Sequence, residues 1–94
     1  MAKDEIILCI QEMRLAEFMY KGSWRVVEPH LLGISNKGKL CLSAFQLSGG
    51  SGQSWRAFLV SDISGFVCSD EHFHETRPGF NPADSTVQTV IASV

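Results

Sequence analysis

Arginine carries a planar, permanently charged fork that grips a phosphate or a carboxylate through two parallel hydrogen bonds. Two arginines, Arg25 and Arg56, lie in stretches that alternate apolar and polar side chains. Either could hold an anionic group. Either could instead pair with a carboxylate such as Glu28 or Asp62, or stand in solvent. Four aromatic residues, Tyr20, Trp24, Trp55 and Phe58, share those stretches. An aromatic face can stack on any nucleobase, and it can equally fill the core of a small domain. For Trp24 and Phe58 the core reading is favoured. The hydroxyl of Tyr20 suits a half-wet position and makes that residue the stacking candidate. Tyr20, Arg25 and Arg56 are therefore the candidate ligand-binding residues.

Other motifs carry less. The run Cys68-Ser-Asp-Glu-His72-Phe-His74-Glu75 has the residue types that bind zinc, yet no second ligand pair stands elsewhere and His30 is remote. A solvated acidic loop is the expectation, with no metal site and no cofactor. Gly49-Gly50-Ser51-Gly52 lacks the Lys-Ser/Thr that completes a phosphate loop, and it leads into strand-like rather than helical sequence. It reads as a hairpin tip. No serine or cysteine has a recognisable histidine partner pattern, so no enzyme is expected. The three cysteines, Cys9, Cys41 and Cys68, are odd in number, form no CxxC and have apolar neighbours. Reduced, buried thiols fit better than a disulfide frame.

A chain of 94 residues must position these groups with one core. A hydrophobic share of 45% and a charged share of 19% exclude a wholly disordered chain. A net charge of −2 excludes a generally basic nucleic-acid coat. The charge is unevenly spread: six basic against two acidic side chains from Arg14 to Arg56, and one against four from Val67 onward. A local basic site remains open. The N-terminal apolar run is short and flanked by acids, unlike a secretory signal or a membrane span, so the expectation is a cytoplasmic protein with no membrane contact.

The period of the apolar residues sets the elements. Lys3 to about Leu15 repeats at three and four residues and predicts a helix burying Ile6, Ile10 and Met13. The period then becomes two. Strands are expected over 15–20, with Phe18 and Tyr20 on one face, and over 24–28, with Trp24 and Val26 opposite Arg25 and Val27. Pro29 should end or bend that second strand. Further strands are expected over 39–47, with Leu40, Leu42 and Ala44 on one face, over 55–60 and over 63–68. Residues 69–85 read as loop. The β-branched stretch 86–94 could be a last strand, a stub or disordered. The whole predicts a single, mainly β domain over 1–94 with its core over about 5–68. The expected fold is a small five-stranded barrel with an N-terminal α-helix, since closure removes exposed strand edges.

The order of motifs resembles the WYL domain, a family named for a Trp-Tyr-Leu triplet. The resemblance rests on the strand ending at Tyr20, on Arg25-Val-Val-Glu-Pro29, on Gly38-Lys-Leu-Cys-Leu-Ser-Ala44, and on Arg56-Ala-Phe58 followed five residues later by Ile63. It spans Ile6 to about Phe73. Of the eponymous triplet only Leu42 is kept, Cys41 stands in place of its tyrosine, and Leu59 and Asp62 stand where the family has arginines. The resemblance implies an Sm-like, SH3-like barrel acting as a sensory, ligand-binding regulatory domain in bacterial transcription regulators or beside nucleic-acid-processing partners. It implies a short single-stranded nucleic acid or nucleotide-like ligand at Tyr20, Arg25 and Arg56, and a regulator partner. The alternative is an oligomerisation or protein-interaction module, such as a homodimer built by adding the 87–94 strand to a neighbour's sheet.

Overall fold

A computed structural model describes residues 2–50, 52–81 and 86–94. One helix, α1 (Ala2–Gln11), precedes six strands: β1 (Arg14–Tyr20), β2 (Ser23–Ser35), β3 (Leu40–Ser48), β4 (Ser54–Leu59), β5 (Ile63–His72) and β6 (Val87–Ser93). A 3-10 turn over Val60–Asp62 joins β4 to β5. All ladders are antiparallel, in the order β4-β3-β2-β1-β5, and β6 pairs with β2.

The helix is shorter than its apolar period suggests. Met13 adopts φ 52, a left-handed turn, and its amide reaches back to the Ile10 carbonyl at 3.1 Å. Arg14 thereby opens β1 instead of closing the helix. The buried face of α1 is Ile6, Cys9 and Ile10, while Met13 is only half-buried.

The second strand is longer than expected, and Pro29 does not end it. Opposite β3, Pro29 pairs with Ala44 and Leu31 with Ser43, so His30 is an extra, bulged residue. A bulge bends a strand and re-aims a side chain without breaking the sheet. On the other edge, β1 reaches only Val27 and β6 takes over from Leu31. Pro29 falls in the gap between them, where its missing donor breaks no ladder.

The expected five-stranded barrel is not what forms. The sheet has six strands and stays open, because β4 and β5 share no ladder. The sixth strand exists because β2 continues past Pro29 and offers β6 an edge. The gap stays unladdered because side chains fill it. The Leu59 amide at the end of β4 donates to the Tyr20 hydroxyl at 3.1 Å rather than to a strand carbonyl. Phe18, Tyr20 and Phe58 meet edge to face there, with centroids 4.9–6.4 Å apart, and Phe66 of β5 stacks on Phe18. The sheet curls around this cluster, and extents of 28 × 28 × 26 Å mark it as strongly bent rather than flat. α1 covers the core with Ile6, Cys9 and Ile10 against Ala16, Val27, Leu32, Leu42, Ala44 and Ala92.

Candidate functional site

Arg25 and Arg56 are carried on the concave, core-side face of the sheet. Along β2 the alternation that buries Val27 also turns Arg25 inward, and along β4 Arg56 shares the face of Phe58. Arg25 is only 9% exposed. It donates to Gln46 Oε1 at 2.8 Å and to the Tyr20 carbonyl at 3.2 Å, and its guanidinium lies over the rings of Tyr20 and Phe58. Gln46 in turn donates to the carbonyls of Gly49 and Gly52, at 2.8 and 2.6 Å. Arg25 thus anchors the β3–β4 hairpin tip through Gln46. The tip lies close: a Cβ on Gly50 would stand 2.7 Å from Arg25 Nη1.

Neither arginine has the carboxylate partner considered from the sequence. Glu28 is engaged by Arg77, and Asp62 forms no ion pair among the described residues. Arg25 Nε, Arg56 Nε and Ser54 Oγ are buried atoms with no hydrogen-bond partner among the described residues. The register puts these groups at one end of the concave face. Gln46 lies opposite Ser54 and Ala44 opposite Arg56, while Arg25 reaches Gln46 from β2. A buried charge without a counter-charge is costly, and unsatisfied buried donors are uncommon.

Tyr20 occupies a different position from the half-wet one expected. It is 7% exposed, its ring is packed edge to face against Phe18 and Phe58, and its hydroxyl accepts the Leu59 amide. It forms the wall behind Arg25. Phe58 is in the core, as its type suggested, but Trp24 is 44% exposed and donates its indole N–H to Glu17 at 3.1 Å. Residue type favoured the core for Trp24, whereas alternation with the inward-facing Arg25 turns it out.

A second polar cluster, which the sequence reading missed, lies on the opposite side. There the 73–80 segment is strapped across the sheet. Arg77 grips Glu28 with two hydrogen bonds, Nε to Oε1 at 3.0 Å and Nη2 to Oε2 at 2.9 Å, and lies 4.3 Å over the Phe45 ring. His30, fully buried, contacts the Glu28 carbonyl through Nδ1 at 2.8 Å and the Arg77 amide through Nε2 at 3.1 Å. A carbonyl can only accept, so Nδ1 carries the proton and Nε2 accepts from Arg77. Burial pushes the His30 value below its ordinary 6.5, outweighing the Glu28 contacts that raise it. Phe73, Trp55 and Phe80 enclose the imidazole with centroids 4.8–5.1 Å away. Trp55 donates to the Pro78 carbonyl at 3.0 Å. A cleft of about 400 Å³ opens beside the strap, between Leu15, Leu47 and Arg77.

Within the expected loop over 69–85, β5 runs on to His72 and 73–80 is tied down. Residues 82–85 of that loop lie outside the described residues. His72 and His74 are exposed, and among the described residues no three metal-ligating side chains come together. Cys9 is buried and Cys41 and Cys68 are half-buried, all as free thiols. Among the described residues no helix is long and apolar enough to cross a membrane.

No family model, no curated protein and no solved structure matches this chain. The site must be read from its own geometry. The only sequence signals that could have found the strap are the lone basic residue of an acidic tail, Arg77, and the bulge-prone Glu28-Pro29-His30. Neither identifies its partner, because the contacts span 47 and 49 positions.

Proposed function

We propose that this domain is a non-enzymatic, WYL-type sensory module that binds an anionic ligand, a short single-stranded nucleic acid or a nucleotide-like molecule, and so modulates transcription or a nucleic-acid-processing partner. One observation carries the reading: two guanidinium groups share one end of the concave face, and neither has a carboxylate partner among the described residues. A phosphate would supply the missing counter-charge. Arg56, half-buried with no hydrogen bond among the described residues, makes the direct contact, and the Ser54 hydroxyl adds a donor. Arg25 stands behind them and adds field while holding the hairpin tip. Tyr20 braces Arg25 through its ring and carbonyl.

The test is titration of labelled short single-stranded DNA and RNA, and of nucleotides, at low and physiological salt. Binding should weaken as salt rises, because phosphate contacts release counterions. Arg56→Ala should weaken it by about 1.5–3 kcal/mol, the range for hydrogen bonds to charged groups, with little change in melting temperature. Absence of binding at low salt by the folded protein, or a large stability loss in Arg56→Ala, overturns the reading.

The alternative, an interaction module, has changed its footing. The 87–94 stretch is laddered to β2 along one edge, so only the other edge of β6 is left for strand addition to a neighbour's sheet. What favours this reading is a set of exposed apolar side chains on the convex face: Met19, Trp24 and Val67 are 39%, 44% and 50% exposed, with Met19 opposite Trp24 and Val67 opposite Glu17, two residues from Met19 on β1. Light scattering after size exclusion separates the two readings. A strict monomer at high concentration removes the homodimer form.

A further inference from the structure

The packing of α1 on β5 brings two of the three cysteines to one arginine. Cys9, on the buried face of α1, donates its thiol to the Arg14 carbonyl at 3.3 Å. Cys68, half-buried in β5, receives the Arg14 guanidinium at 4.0 Å from Nη1 to Sγ. The ladder places Cys68 opposite Ala16, two residues beyond Arg14. Cys9 Sγ also lies 3.5 Å from the Leu15 carbonyl, next to the Ala16 that faces Cys68, and burial, chiefly, with the neighbouring Cys68 pushes the Cys9 thiol well above its ordinary range. Arg14 is shared with Glu12 at 3.4 Å and Asp70 at 3.7 Å, but Asp70 is fully exposed and its pairing is weak. Cys41 lies apart in β3, with its thiol near the Lys39 carbonyl.

We propose that Cys68 is a peroxide-reactive thiol and Cys9 its resolving partner, so that oxidation joins α1 to β5 through an intramolecular disulfide. The two sulfurs differ in what surrounds them. Arg14 sets a positive charge beside Cys68, the sulfur that carries negative charge during attack. At Cys9 the sulfur faces the Arg14 carbonyl rather than its guanidinium, burial outweighs the charge of Arg14, and the side chain is closed off from solvent. Peroxide therefore meets Cys68 first. The Cys68 thiolate attacks one peroxide oxygen and the O–O bond breaks. Hydroxide leaves and takes a proton to become water, and Cys68 becomes a sulfenic acid. The Cys9 sulfur then displaces the sulfenic hydroxyl. That hydroxyl departs as a second water with the Cys9 proton, and the S–S bond forms. Overall two thiols lose two electrons and two protons, and one peroxide becomes two waters. The bond closes a long loop between the N-terminal helix and a late strand, the kind of cross-link that restricts an unfolded chain most.

The experiment uses the whole chain carrying Cys41→Ser, treated with hydrogen peroxide near stoichiometry. The expected product is a monomer lighter by two hydrogens, with the tryptic fragments holding Cys9 and Cys68 joined and released again by dithiothreitol. The melting temperature should rise by more than about 8 °C on oxidation. Cys68→Ser should abolish that rise, and Arg14→Gln should slow loss of the Cys68 thiol several-fold. A Cys68 sulfinic acid without the cross-link, a disulfide between chains, or an unchanged rate in a folded Arg14→Gln variant overturns the proposal.

Discussion

Glu28 and Arg77 form a pair whose members are unequally placed. The Glu28 side chain is 9% exposed and the Arg77 side chain 36%. Removing either partner breaks the same two hydrogen bonds but strands a different group. Arg77→Gln leaves a carboxylate buried without its cation, at a cost of about 3 kcal/mol. Glu28→Gln leaves a guanidinium that can turn to water, at a cost of about 1 kcal/mol. Urea unfolding at pH 7.5 should show that order, and the reverse order would mean that Glu28 is not held chiefly by Arg77. His30 adds a pH dependence. Its folded value is depressed, so between that value and 6.5 the unfolded chain binds the proton and the folded one does not. Stability from this group is complete above pH 6.5 and declines as pH falls below it. Glu28 opposes the depression, while the facing Arg77 adds to it. The exposed His72 and His74 can be replaced by Gln to isolate the effect. A urea midpoint that stays flat between pH 7.5 and 5.5 in that variant would contradict the buried, neutral imidazole.

At the scale of elements, side-chain alternation was the most legible feature. It grouped Phe18 with Tyr20, Arg25 with Val27, and Leu42 with Ala44, and the structure keeps each pair on one face, although it buries the Arg25–Val27 face rather than that of Trp24. It failed where backbone geometry departs from a regular period. Met13 turns left-handed without a glycine to signal it, so the helix, read to about Leu15, ends at Gln11. The bulge at His30 shifts the period inside β2, so one 13-residue strand read as a five-residue one. Arg25 was legible as a candidate from its residue type and from the family resemblance, but its inward placement was not, because the favoured core position of Trp24 would turn it outward. The candidate arginines' lack of carboxylate partners was not legible either, since it depends on Arg77 taking Glu28 from across the chain. The β2–β6 ladder also has a steric requirement that alternation does not show. A Cβ on Gly33 would stand 2.6 Å from the Thr89 carbonyl oxygen and 2.7 Å from a Val87 methyl. Gly33→Ala must push β6 outward, at a cost of about 1–3 kcal/mol, and should speed amide exchange in β6 before it affects β3. Unchanged exchange in β6 would mean that the two strands do not approach so closely.

For the molecule as a whole, the open sheet makes a side chain part of its continuity. Between β4 and β5 no strand carbonyl meets the Leu59 amide, and the Tyr20 hydroxyl does so instead. The same ring supports Phe18 and Phe58 in the core, and its backbone carbonyl holds Arg25. Loosening this residue therefore connects the seam of the sheet to the proposed ligand site. Tyr20→Phe isolates the hydroxyl, because it keeps the ring, the edge-to-face contacts and the carbonyl. It leaves a donor at the seam without a protein partner, at a cost of about 1–2 kcal/mol. The Leu59 amide should exchange faster by more than the global loss of stability explains, while amides at the β2–β3 ladder should follow that loss alone. Anion binding should weaken little, since the groups that would meet the ligand, Arg56 and Ser54, are untouched. Uniform acceleration across the sheet would instead show that the seam opens only when the whole domain unfolds.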